Sequence, residues 1–443
     1  MQICQQDQYI KYRREGFAAI VCILLLTAAT YNLHTYLSQR SLLNITYQII
    51  PMLTQSSVPP TAYLPHSEVA PAHDHTLLQG KPAESFDEMP IVDVKTFLER
   101  LPGWELECEK VAFCLHNYGI LIFRDPRANE QENEEYIDLM EKYFKNASDK
   151  YYAGERLSEA KPEYHFQVGV TPEKIERARN HYEKVKHLPE EDKPSSPFPP
   201  TVDMKWRYMW KIGERPAGAD DDFPQVLPEG FPDWEEKMNS WGQKLLQAGT
   251  TAAQMAALGM GLDEHAFTKR MEGGAHLLAP TGSDLVRNEV GATLAGFHYD
   301  IAFLTIHGKS RYPGLQIWLR NWKKLAVKIP KGCLLMQAGS SFEHITGGYV
   351  LSGYHEVMYN EDTKRALENV KEQMALSGKE RILWRVSSTL FSHFRGEVDI
   401  SPMRELAHLM DPVQAGTYKR MTAFEKLMEE LRATSMTADT KKE

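Results

Sequence analysis

A chain of 443 residues, 42% of them hydrophobic, is long enough for one large domain with appendages or for two ordinary ones, and it can bury a substantial core. Sixty acidic against 51 basic residues give a net charge of -9, and no Lys/Arg-rich run concentrates positive charge locally, which argues against nucleic acid as a partner. Five cysteines (Cys4, Cys22, Cys108, Cys114 and Cys333) without a C-x-x-C pair exclude a zinc ribbon and a dense disulfide framework, and leave only a single bridge such as Cys108 to Cys114 open.

The first element in the chain is GFAAIVCILLLTAATY, residues 16–31, apolar apart from two threonines and preceded by Lys11, Arg13 and Arg14. A basic flank before an apolar run is the order of a signal or signal-anchor segment. About 20 residues span a bilayer, so the segment is extended to 16–37 as a transmembrane or signal-anchor helix behind a cytosolic tail of residues 1–15. The resulting expectation is a single-pass membrane protein, endomembrane, with a luminal catalytic domain; a cleaved signal peptide and secretion are the alternative. In either case Asn44 and Asn146 head glycosylation sequons. Residues 38–88 read as a Pro-rich linker in which His66, His73 and His75 are solvated.

Folded texture begins at 89. Met89 to Val94 reads as a strand, Trp104 to Asn117 as a helix and Tyr118 to Phe123 as a buried strand after a glycine turn. A helix over 131–144 places Tyr136, Leu139, Met140 and Tyr143 on one core face. The stretch from Leu188 to Trp234, rich in proline, aromatics and acids, reads as a long loop, with Asp220 to Asp222 as a solvated turn. Pro232 starts a long helix that stops at Gly259 or Gly261, closing an N-terminal helical region over 89–260.

From 261 to 403 the sequence turns to short β-rich runs at 298–307, 314–319, 326–329, 333–337, 349–359 and 382–394, punctuated by Gly and Pro, with one charged helical interruption over 361–379. Closely spaced short strands of this kind predict a jelly roll. The fold class expected is therefore mainly β with flanking helices, a jelly-roll core preceded by the membrane segment and linker, and a C-terminal helical tail over 404–443.

Chemistry concentrates in His298-Tyr299-Asp300. In a strand, residues two apart share a face, so an imidazole and a carboxylate can meet one ion. His355 is the candidate third ligand; His307 and His344 are weaker ones. Two histidines and a carboxylate leave three coordination positions open, the arrangement of non-haem Fe(II) oxygenases.

The order of parts resembles the iron- and 2-oxoglutarate-dependent oxygenases of the isopenicillin-N-synthase-like superfamily. It runs His298-Tyr299-Asp300, Gly314-Leu315-Gln316-Ile317, Ala338-Gly339, His355, and Arg385-Val386-Ser387 followed by Phe391. Ile91 to Val94 and Cys114 to Ile122 resemble that family's N-terminal region, so the likeness covers residues 89–403.

The resemblance implies a double-stranded β-helix, Fe(II) held by His298, Asp300 and His355, and the distal carboxylate of 2-oxoglutarate held by Arg385 and Ser387. Arginine suits the last task because its planar fork meets a carboxylate with two charge-assisted hydrogen bonds. It further implies O2 as co-reactant, ascorbate as an optional reductant, release of succinate and CO2, and hydroxylation or desaturation of a small organic substrate. Two other readings stay open: a related oxidase that does not use 2-oxoglutarate, and a membrane-tethered non-catalytic binding protein on the same fold.

The sequence departs from the family pattern in three places. Arg385 follows His355 by 30 residues, Glu356 stands where an arginine commonly follows the distal histidine, and Leu277-Leu278-Ala279-Pro280 carries no tyrosine where the family's N-x-Y-P motif falls. Trp206, Tyr208, Trp210, Phe297, Tyr299, Phe303 and Trp318 fit either an aromatic substrate pocket or an ordinary core.

Overall fold

In the computed structural model of the protein, residues 85–215 and 223–433 are described. The segments read as cytosolic tail, anchor and most of the linker, together with Asn44, His66, His73, His75 and Asp220 to Asp222, lie outside the described residues.

Fourteen strands build the core of the described residues. They are β1 (Ile91–Asp93), β2 (Ile120–Arg124), β3 (Gly169–Thr171), β4 (Trp206–Lys211), β5 (Leu277–Leu278), β6 (Thr281–Asp284) and β7 (Thr293–His298), then β8 (Leu304–His307), β9 (Leu315–Trp318), β10 (Lys324–Ala326), β11 (Leu334–Ala338), β12 (Tyr354–Met358), β13 (Trp384–Ser387) and β14 (Thr389–Ser392). A ten-stranded sheet runs β1-β2-β11-β8-β14-β5-β4-β6-β13, with β3 beside β4, and a four-stranded sheet runs β10-β9-β12-β7. All pairs are antiparallel except β1 with β2. The larger sheet takes strands from both sides of residue 260. The architecture is a mainly β core with helices, consistent with a jelly roll.

Helices account for the continuous burial of the large sheet's central strands. β8 and β11 are buried at every residue, which requires cover on both faces. The helix Trp234–Gly259 covers one face by lying on β8 and β14 and crossing the helix Trp104–Tyr118, while Thr305 and His307 of β8 turn to the other, toward Asp300 and the interior. Gly259 permits the crossing: a Cβ there would sit 2.1 Å from the Cys108 carbonyl oxygen. The helix Glu130–Tyr152, longer than the 131–144 expected, begins at Asn129, whose side chain accepts from the Glu132 N–H, and packs against β6 and β13. The interruption after β12 is a helix, Glu361–Ser377, capped by Asn360 and closed by Gly378 at φ +66°. Cys108 and Cys114 are buried free thiols, so no bridge joins them.

Three expectations are corrected. Residues 188–234 are not all loop: Trp206-Arg207-Tyr208-Met209-Trp210-Lys211 is β4, within the large sheet, because Trp206, Tyr208 and Trp210 each bury essentially their whole ring against the helical layer. The run 298–307 is not one strand: β7 ends at His298 and β8 begins at Leu304, so Asp300 lies in the turn between them.

The expectation of a single-pass membrane protein with a luminal domain is overturned. Among the described residues no helix is long and apolar enough to cross a membrane. The longest, Trp234–Gly259, is amphipathic, with Glu235, Glu236 and Lys237 in its first turn and its apolar face spent on the sheets. The 16–37 segment on which the expectation rested lies outside the described residues.

Candidate metal and anion site

Antiparallel pairing of β7 with β12 sets His298 directly opposite His355. The imidazole centroids are 4.2 Å apart. The turn after β7 then brings Asp300 Oδ1 to 3.6 Å from His298 Nε2, and Asp300 Oδ2 to 3.8 Å from His355 Nε2. One ligand atom from each residue lies within 4.8 Å of the others, a set that can surround a single ion.

The surroundings fix these side chains. His298 Nδ1 lies 2.6 Å from the Gly296 carbonyl oxygen and His355 Nδ1 3.1 Å from that of Gly353. A carbonyl only accepts, so each Nδ1 carries the proton and each Nε2 keeps its lone pair for a metal. Burial first, and then the neighbouring His355, pushes the His298 imidazole down to about 3, which keeps it neutral at pH 7. Burial works against the Asp300 carboxylate, but the His355 and His298 imidazoles outweigh it and hold it below the usual range, helped by the Thr305 hydroxyl donating at 2.7 Å.

Charge also anchors the ligand strand. Lys205 Nζ lies 2.6 Å from Asp203 and 3.2 Å from Glu176, and Arg207 lies 2.6 Å from Glu176. Asp203 in turn accepts from the Gly296 N–H at 3.0 Å, two residues before His298. Glu356, fully buried beside His355, accepts the Ser195 and Ser196 N–H groups at 2.8 and 2.9 Å. Where the family commonly has an arginine, this chain thus uses a carboxylate to hold a loop against the small sheet.

The triad opens into a cavity of about 950 Å3 lined by residues of both sheets and of the C-terminal helix Ala423–Ala433. Arg385 and Ser387, on β13, line it too. Arg385 is 6% exposed; its Nε donates to the Pro313 carbonyl at 2.8 Å, and no carboxylate pairs with it among the described residues. Burial alone pushes its guanidinium down to about 10, still cationic at pH 7. Pro313 is held by Gly314 at φ +121°, where a Cβ would meet the Met358 carbonyl oxygen at 2.4 Å. A desolvated cation without a counter-charge is costly, and an anion entering the cavity relieves that cost.

The five residues singled out in the sequence therefore line one cavity. His307 lines it as well, but its ring nitrogens are engaged by Gln337 and Thr389. His344 does not line it: it sits in the short helix Ser340–Ile345 and bonds the Lys419 carbonyl at 2.7 Å. Of the seven aromatics proposed for a pocket only Tyr299 lines the cavity, and the others are core.

Sequence reasoning missed Thr305, for which the alternation of β8 after H-x-D was a usable signal. It also missed Glu430, which accepts from Tyr299 at 2.8 Å and pairs with Arg179 at 3.1 Å. No local pattern links residues 131 apart.

The sequence matches no protein-family model and no curated protein. Solved structures do match. A 2OG-Fe(II) oxygenase family protein from Caulobacter crescentus has a TM-score of 0.57 at 18% identity, over 78% of this chain and 98% of its own. A full-length Neurospora crassa protein in complex with alpha-KG has a TM-score of 0.56 at 16% identity, over 78% of this chain and 96% of its own. JOX2, in complex with 2OG, Fe and JA, has a TM-score of 0.51 at 16% identity, over 83% of this chain and 91% of its own. The chain has the fold of the 2OG-Fe(II) oxygenases.

Proposed function

We propose that the protein is a non-haem Fe(II)- and 2-oxoglutarate-dependent dioxygenase that hydroxylates or desaturates a small organic substrate. The observation that carries this reading is Arg385: a buried guanidinium with no carboxylate partner among the described residues, in the same cavity as a His-Asp-His set of metal-ligand geometry. The fold supports it, as do the crystallised neighbours bound to alpha-KG, and in one case to Fe. We read the two sheets as a double-stranded β-helix and residues 89–403 as the oxygenase unit, with the C-terminal helix adding a wall to the cavity.

In this reading His298, Asp300 and His355 hold Fe(II), and Arg385 with Ser387 takes the distal carboxylate of 2-oxoglutarate. Iron, 2-oxoglutarate and O2 together supply the oxidising power, with succinate and CO2 as co-products and ascorbate as an optional reductant. The chain's residues do the positioning. Gly296 and Gly353 carbonyls fix the imidazole tautomers, Thr305 orients the carboxylate, and Pro313 sets the guanidinium plane. Apolar Leu277, Leu315, Val357 and Phe391 keep the cavity poor in water around them. The substrate class suggested is a small molecule, in keeping with thymine and JA in the neighbours' crystals.

The test is succinate formation from 2-oxoglutarate by the purified protein under air with Fe(II) and ascorbate. Wild type is expected to form succinate slowly without a substrate, and His298→Ala to form none while keeping its circular dichroism. Equal succinate from both proteins refutes the assignment.

A further inference from the structure

Four side chains not explained by metal binding form a hydrogen-bonded chain that ends at Ser387. Gln337 Oε1 lies 2.9 Å from His307 Nε2, His307 Nδ1 lies 3.2 Å from Thr389 Oγ1, and Thr389 Oγ1 lies 3.3 Å from Ser387 Oγ. The sheet register makes the chain: β8 lies between β11 and β14, with His307 opposite Thr389 and Gln337 opposite Thr305. His307, Thr389 and Ser387 all line the cavity beside Arg385. A neutral imidazole carries one N–H and one lone pair, so the protons of the chain all run the same way.

The two directions are not equivalent. With the Gln337 carbonyl toward His307, the proton sits on Nε2, Thr389 donates to Nδ1, and Ser387 donates to Thr389. Ser387 then shows the cavity only lone pairs, and Gln337 Nε2 stays buried without a partner among the described residues. Exchanging the amide oxygen and nitrogen leaves every heavy-atom position in place. The amide then donates to His307 Nε2, Nδ1–H donates to Thr389, and Thr389 donates to Ser387. The orphaned donor is satisfied, a less costly under-satisfied carbonyl takes its place, and the Ser387 proton is free to point into the cavity.

We infer that Gln337 and His307 are positioning residues: they set the direction of this chain so that Ser387 offers a proton, not a lone pair, to the carboxylate that Arg385 neutralises. The inference rests on the 2-oxoglutarate reading above. It assigns His307 the less common tautomer with the proton on Nδ1.

The test uses the full chain loaded with Zn(II), a diamagnetic stand-in for iron, and with 2-oxoglutarate. Long-range 15N correlation of labelled histidine, with His307 assigned by its loss in His307→Gln, is expected to place the proton on Nδ1. A proton on Nε2 overturns the inference. A second readout is the 2-oxoglutarate Kd of Thr389→Val, expected to weaken about two- to tenfold, the worth of one neutral hydrogen bond, with recovery in Thr389→Ser and unchanged Zn(II) affinity. Unchanged or tighter binding by Thr389→Val overturns it, since in the opposite direction that change releases the Ser387 proton. Absence of any 2-oxoglutarate binding by wild type refutes the cosubstrate reading itself, and the tautomer measurement then decides the chain's direction alone.

Discussion

The two sheets do different work. The ten-stranded sheet is backed by the helices Trp104–Tyr118 and Trp234–Gly259, and its central strands β8 and β11 are buried at every residue. The four-stranded sheet holds two of the three candidate ligands, yet β9 and β10 are only partly buried. Its cover is shared among an aromatic cluster around Phe297, Trp318 and Tyr354, a second apolar cluster with Leu294 and Val357, and Ile317 and Leu325 in the main core, with polar ties to the loop before β4: the Glu356 carboxylate, and Trp318 Nε1 donating to the Asp192 carbonyl at 2.6 Å. Hydrophobic burial thus covers the large sheet's central strands, and the small sheet joins apolar packing to a few buried hydrogen bonds. The metal geometry then depends on polar contacts as well as on the core.

That division can be broken from either side. Asp300→Ala is expected to abolish Fe(II) binding and turnover at a cost of only about 1–3 kcal/mol in urea unfolding of the metal-free protein, because the buried Thr305 hydroxyl loses its acceptor; a collapsed unfolding midpoint would tie the triad to the core. Ile306→Ala, in β8 and fully buried, should do the reverse. It is expected to lose about 2–5 kcal/mol in urea unfolding while the folded fraction keeps its Fe(II) affinity.

Arg385→Ala removes the unpaired cation and should weaken 2-oxoglutarate binding by calorimetry about 10- to 100-fold, the range of about 1.5–3 kcal/mol for a charge-assisted bond. Glu356→Ala strands the Ser195 and Ser196 N–H groups and should lower stability by about 1–3 kcal/mol. Glu356→Gln, which keeps one acceptor, should lose less, and equal losses in the two variants would show that the clamp is not the cause.

What the sequence disclosed follows the same division. H-x-D, the distal histidine and R-x-S were legible because each is a local pattern bound to a strand or its end, and the 361–379 interruption was legible from its charged, helical pattern, which Asn360 and Gly378 bound in the structure. β4 was not. Its aromatics sit between proline and acidic stretches that read as loop, and only tertiary burial of Trp206 and Trp210 makes the run a strand. The end of β7 at His298 was hidden for a related reason: the turn that carries Asp300 is held by backbone bonds to Ser340 and Ser341, 40 residues away. The roles of Gln337 and Glu430 depend on register and long-range docking, which no spacing in the chain encodes.

The most direct test of the central claim is anaerobic addition of Fe(II) and then 2-oxoglutarate to the purified protein, following the weak visible charge-transfer band of the chelated complex. The expected band needs both additions, is absent in Asp300→Ala and weakens in Arg385→Ala at the same 2-oxoglutarate concentration. Iron binding with no such band at saturating 2-oxoglutarate would contradict it.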